Sequence, residues 1–112
     1  REVAEEFAEE IVERHSEEIE SIILFGSVAR GIPVSSSDID ILILVTNKKD
    51  LDEVKDEAWS LRDKYLDRKG LPINVITQTK EEFKRNLRNE QPLENKIKEE
   101  GKLLKGEIPD GK

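Results

Sequence analysis

Two short apolar runs, joined through a glycine turn and re-entered through paired aspartates, constrain this chain more than any other feature. Ile22-Ile23-Leu24-Phe25 leads into Gly26-Ser27, and after ten residues Asp38-Ile39-Asp40 opens the run Ile41-Leu42-Ile43-Leu44-Val45. Runs of this length bounded by turn formers read as strands. Glycine at position 26 lets the backbone turn sharply and lets phosphate oxygens approach where a Cβ would stand. Ser27 adds a hydroxyl donor and can cap the short helix that follows, so an anion fits at that helix start. Arg30, one turn on, presents a planar fork of donors to the same anion. On the second strand, alternation puts Asp38 and Asp40 on one face, roughly 6.6 Å apart, and Ile39, Ile41 and Ile43 on the other. Two carboxylates so placed can share divalent ions, and Mg²⁺ favours one or two carboxylates completed by substrate phosphates and water. No Gly-Lys-Ser/Thr follows the turn, so it is not a Walker-type phosphate loop.

The Gly26-Ser27 turn followed by the Asp38-Ile39-Asp40 triplet resembles the signature of the minimal nucleotidyltransferases in the DNA-polymerase-beta superfamily. The resemblance covers nearly the whole chain, because the ending Pro92-Leu93-Glu94-Asn95-Lys96-Ile97 to Glu100-Gly101-Lys102-Leu103-Leu104 also looks like that of small members. It implies the nucleotidyltransferase fold, an α/β (α+β) layer structure with helices packed on a small mixed sheet. It also implies the activity: two Mg²⁺ ions held by the paired aspartates and a third carboxylate, with AMP passing from ATP to a hydroxyl. On that reading Asp38 and Asp40 are catalytic and metal-binding, while Gly26, Ser27, Arg30 and Ser37 bind the nucleotide. The third carboxylate belongs on a later strand, where this chain has Leu71-Pro72-Ile73-Asn74-Val75-Ile76-Thr77, with Asn74 at the expected aspartate. No acid occurs between Asp67 and Glu81. An asparagine oxygen can ligate a metal, but the amide is neutral and cannot take a proton as a carboxylate would. Small family members are often paired with a helical HEPN-domain protein, and some modify that partner with AMP. The resemblance therefore implies either transfer to such a partner or a catalytically weak, antitoxin-like nucleotide-binding module.

At 112 residues the chain is read as one domain with a single modest core and no room for a separate acceptor domain. Its 19 basic and 26 acidic residues give a net charge of -7, which disfavours binding to a nucleic-acid backbone. The same field repels free ATP, so metal ions and donors such as Arg30 must offset it. There is no cysteine for a disulfide framework or a thiolate zinc site, and no methionine. With 40% charged residues this composition matches that of heat-adapted proteins. The longest apolar run, Ile41 to Val45, is too short to cross a bilayer, and the chain is read as cytoplasmic, with a homo-oligomer compatible.

Helical spacing of Val3, Ala4, Phe7, Ala8, Ile11 and Val12 predicts an amphipathic first helix, with His15 near its end as a surface residue. Ser21 to Phe25 is a strand; the short helix after the turn stops at Gly31 and Pro33, and a loop runs to Ser37. Asp50, with Glu53 as reciprocal partner, is expected to cap a long helix whose stripe is Leu51, Val54, Ala58, Leu61 and Tyr65, ending at Lys69-Gly70. Trp59, beside that stripe, is read as core or groove filling rather than a base platform. Pro72 to Thr77 is a third strand with Asn74 and Ile76 on one face. Thr79 and Glu82 form a second capping pair, opening a helix through Phe83 and Leu87. Leu93 to Glu100 is a last short helix, Lys102 to Lys105 an edge strand, and the tail from Gly106 is loose.

Overall fold

The computed structural model describes residues 2–26, 39–70 and 72–109. Its elements run α1 (Glu2–His15), β1 (Ile19–Phe25), β2 (Ile39–Val45), a 3₁₀ turn (Lys48–Asp50), α2 (Leu51–Lys69), β3 (Ile73–Thr79), α3 (Lys80–Arg88), α4 (Pro92–Glu100) and β4 (Lys102–Lys105). Helices alternating with strands form a mixed four-stranded sheet in the order β3-β2-β1-β4. Strand β1 is antiparallel to both β2 and β4, whereas β2 and β3 are parallel and joined through α2. A parallel pair requires such a crossover, because a hairpin cannot return the chain in the same direction.

Alternation along the strands feeds two cores. Ile22 and Leu24 of β1, Ile39, Ile41, Ile43 and Val45 of β2, and Ile73 and Val75 of β3 face the apolar stripes of α1 and α2. Ile23, Leu42 and Leu44 point the other way, against Phe83 of α3 and Ile97 of α4. The central strands are therefore apolar on both faces, as a sheet covered by helices on both sides demands. Asp40 is the polar break in β2, and it lies on the α3–α4 face.

The helix ends show which local signals prevailed. Gly70 takes a left-handed conformation at φ 65°, and its N–H bonds to the Leu66 carbonyl at 2.9 Å, closing α2 as expected. Thr79 caps α3 by accepting from the Glu82 N–H at 3.0 Å. Asp50 does not cap α2: the 3₁₀ turn runs straight into the helix, so Asp50 has helical angles and its side chain makes no cap bond. Strand β1 starts two residues before Ser21, and β3 extends two beyond Thr77.

Three other expectations are corrected. His15 is buried, because α1 leads through a tight turn into β1 and holds it against the fold. Trp59 is 41% exposed rather than core; Lys55 and Arg62 lie 4.8 and 5.2 Å from its ring centre, which satisfies the ring without burial. The chain after Gly106 is held as far as Pro109, since Ser21 Oγ donates to the Glu107 carbonyl and Ile108 packs on the second core.

Two polar groups are stitched into the apolar layers. The Glu94 carboxylate of α4 is buried and accepts from Gln78 Nε2 of β3 and Asn86 Nδ2 of α3, both at 2.9 Å. Charge-assisted bonds of this kind tie three elements to one oxygen. Tyr65, buried on α2, packs edge-on against Phe7 of α1 with ring centres 5.6 Å apart and donates to Glu10 at 2.9 Å. Burial first, then the bond to Glu10, raises the phenol's pKa well above its ordinary value. A raised folded-state pKa contributes stability below the unfolded value of roughly 10 and loses it as pH rises towards the folded value. Wild type should accordingly lose stability in urea unfolding as pH rises above about 10, while Tyr65→Phe, less stable at neutral pH, should show a flatter alkaline limb. Parallel alkaline limbs for the two proteins would refute this assignment.

Candidate functional site

Register gathers the site at one end of the sheet. In the antiparallel pair the last residue of β1, Phe25, lies opposite Asp40. In the parallel pair Asp40 lies beside Asn74. The turn after β1, the start of β2 and the start of β3 thus share one edge of the fold, with Gly26, Asp40 and Asn74 in a row. Neighbouring strands are about 4.8 Å apart, so side chains on one face of this row are within reach of each other.

Two contacts give the row its chemistry. Asn74 Nδ2 donates to Asp40 Oδ1 at 3.1 Å. Two carboxylates in these opposed positions would repel, whereas the amide satisfies one oxygen of Asp40 with a neutral donor. The second contact concerns Gly26, which has φ 78°, a conformation that L side chains rarely adopt. A Cβ there would run into the Asp40 carboxylate. Glycine is therefore required twice at this position, for its backbone angle and for the space that Asp40 Oδ2 occupies.

Of the seven sequence-derived site residues, the structure brings together Gly26, Asp40 and Asn74. Ser27, Arg30, Ser37 and Asp38 lie outside the described residues. Among the described residues, no three His, Cys, Asp or Glu side chains cluster as a metal site would. The donor chemistry that is described nevertheless fits a hard divalent cation: Asp40 presents a part-exposed carboxylate, the type of oxygen donor suited to an ion that keeps water and phosphate ligands. In the geometry described, Asn74 turns its amide nitrogen to Asp40, so its oxygen remains available on the other side.

Sequence reasoning missed what adjoins the turn. Phe25, Gly26, Leu93, Lys96, Ile97 and Glu100 line a depression of about 220 Å³ between the end of β1 and α4. Leu93, 39% exposed at the start of α4, was the available signal, though a single apolar residue after a proline gives no pattern to read.

A glycine turn, an aspartate strand and a partnering position on the parallel neighbour, set on a mixed sheet layered with helices, define a nucleotide-transferring class of domain. The profile of the nucleotidyltransferase domain family matches residues 4–104, and the chain belongs to that family. One relative, a candidate protein adenylyltransferase of Methanocaldococcus jannaschii, is 36% identical over 99 residues, covering 88% of this chain and 91% of its own. A second candidate protein adenylyltransferase from the same organism is 35% identical over 79 residues, 66% of this chain and 51% of its own. Among solved structures, a toxin–antitoxin complex with AMP-PNP matches with TM-score 0.56 and 18% identity, covering 92% of this chain and 73% of that one. A mutant of a toxin–antitoxin pair matches at TM-score 0.59, with the same identity and coverage. These likenesses show the fold. Family membership implies a nucleotide substrate and a divalent metal ion. No helix among the described residues is long and apolar enough to cross a membrane.

Gly26→Ala should destabilise the fold by about 1–3 kcal/mol through its left-handed angle, and should displace the Asp40 carboxylate as well. Denaturant unfolding measures the first effect and divalent-metal titration the second; unchanged stability and unchanged metal affinity together would remove the dual requirement for glycine.

Proposed function

We propose that the chain is a Mg²⁺-dependent nucleotidyltransferase that moves AMP from ATP to a hydroxyl on a protein, and that a HEPN-domain protein is its acceptor and partner. The observation that carries this reading is the row of Gly26, Asp40 and Asn74 at one end of the sheet, with the Asp40 carboxylate lying in the space a Cβ at Gly26 would fill. The 36%-identical candidate protein adenylyltransferase supports a protein as acceptor. The toxin–antitoxin neighbours, which share the fold, support a paired protein.

Each residue has a role on this reading. Asp38 and Asp40 hold the metal, and Gly26, Ser27, Arg30 and Ser37 receive the triphosphate. When bound, Mg²⁺ would neutralise charge on the phosphates and on the attacking and leaving oxygens. The acceptor oxygen forms a bond to the α-phosphorus as the bond to the bridging oxygen breaks, pyrophosphate leaves, and the hydroxyl proton passes to solvent. Asn74 has no basic site to take that proton, so its part is to orient Asp40 through the bond at 3.1 Å. General-base help is typically worth about 10²- to 10⁴-fold, so transfer by this chain is slow relative to an enzyme with a third carboxylate. The same substitution favours a second reading, a nucleotide-binding, antitoxin-like module that acts through its partner without turnover.

The two readings separate at position 74. With a co-purifying HEPN-domain protein, ATP and Mg²⁺, Asn74→Asp should raise pyrophosphate release about tenfold or more, and Asp40→Asn should abolish it. Transfer would also appear as an AMP mass increment on the partner. Release at background in wild type and in Asn74→Asp, with ATP binding intact, would establish the binding module instead.

A further inference from the structure

Apart from Gly26, no residue that lines the depression beside the glycine turn has a functional role given above. The depression opens between Phe25-Gly26 at the end of β1 and one side of α4, and holds about 220 Å³. That is below the roughly 300 Å³ at which pockets for whole small molecules begin, so it suits one ring system of a larger ligand. Its walls have the composition such a ring needs. Phe25, Leu93 and Ile97 supply apolar surface, and Lys96 supplies a donor beside them.

Leu93 is one of four large apolar side chains exposed among the described residues, and of these it is the one that lines the depression. Leu93 and Ile97 are four residues apart and share a side of α4. Ile97 is 1% exposed and belongs to the second core, whereas Leu93, one turn nearer the helix start, is 39% exposed. The apolar face of the helix therefore continues past the core and into the depression. Gly26 is common to this depression and to the candidate site, since the space its Cβ would fill is taken by the Asp40 carboxylate. A ligand whose phosphates lie at the turn has its remaining atoms within reach of this hollow.

We infer that the depression lined by Phe25, Leu93, Ile97, Lys96 and Glu100 is the base subsite, taking the adenine ring of the nucleoside triphosphate. The inference rests on the reading of the Gly26 turn as the phosphate site and adds which surface recognises the other end of the same molecule. Adenine carries ring-nitrogen acceptors at its edge, the complement of Lys96, and two apolar faces for Phe25 and Leu93. In a chain with net charge -7, an apolar hollow next to the turn also holds the uncharged part of the ligand without adding to the repulsion its phosphates meet.

Calorimetric titration of the intact chain with Mg·ATP and with Mg·tripolyphosphate tests this, because tripolyphosphate has the anionic part and no base. Leu93→Ser should weaken Mg·ATP about five- to tenfold, the cost of one partly buried leucine contact, and leave Mg·tripolyphosphate within twofold of wild type. Leu93→Phe, which keeps an apolar face, should hold Mg·ATP within about twofold of wild type. Undiminished ATP affinity in Leu93→Ser, with tripolyphosphate still bound, would place the base elsewhere and leave the phosphate reading standing. Equal losses for both ligands in Leu93→Ser, or a loss in Leu93→Phe as large as in Leu93→Ser, would overturn the base assignment. Failure of wild type to bind either ligand would overturn the phosphate reading and the base subsite together.

Discussion

Parallel pairing of β2 with β3 is the constraint on which both the fold and the site depend. Because the two strands run in the same direction, the chain must cross over through α2, and that helix with α1 supplies the first core. The same pairing places Asn74 beside Asp40 instead of at the far end of the sheet, where an antiparallel return would put it. Slipping β3 by one residue would exchange Asn74 with Ile73 or Val75, pushing an amide into the apolar layer beneath α2 and an aliphatic side chain against Asp40. Ile73 and Val75 are nearly fully buried, so the hydrophobic term that fixes the sheet also fixes the functional register.

Electrostatics at the row follow from that register. A strand pair that brings two carboxylates together without a cation stores repulsion, which a bound divalent ion relieves. Asn74 removes that repulsion by donating to Asp40, so the arrangement is satisfied in the chain alone. Elsewhere the acidic excess is managed by local pairing: Lys80 lies 3.1 Å from Glu20, and that bond is the main reason the Glu20 carboxyl titrates below its usual range. Both side chains are more than a third exposed, so the pair contributes little to stability.

Much of the architecture was legible because periodicity reports burial. The stripe Val54, Ala58, Leu61 and Tyr65 announced α2, Gly70 its end, and Thr79 the start of α3. The placement of Asn74 and Ile76 on one face of β3 also followed from alternation, as did the role of Gly26 at a turn. What was hidden depended on contacts distant in sequence. Nothing around Asp50 signals that a 3₁₀ turn will absorb the cap, and nothing around His15 or Ile108 reveals which surface will cover them. Trp59 misled for a related reason: its place beside the buried stripe suggested packing, but Lys55 and Arg62 at helical spacing cover the ring from within the same helix. The depression at α4 required the end of β1 to meet a helix nearly seventy residues later, a pairing no local pattern encodes.

Asp40 is part-exposed and Asn74 exposed, while the buried neighbours that fix their strands are almost all aliphatic or aromatic. The residues that would do chemistry are therefore not the residues that hold the chain together. In such a scaffold, drift at Asp40 and Asn74 meets little resistance from folding, in contrast to Gly26, and a lineage can change the chemistry of the pair one substitution at a time while the domain keeps its shape. On the proposed reading, the asparagine that satisfies its aspartate neighbour is one step along that path, and a single change of codon would put an acid in its place.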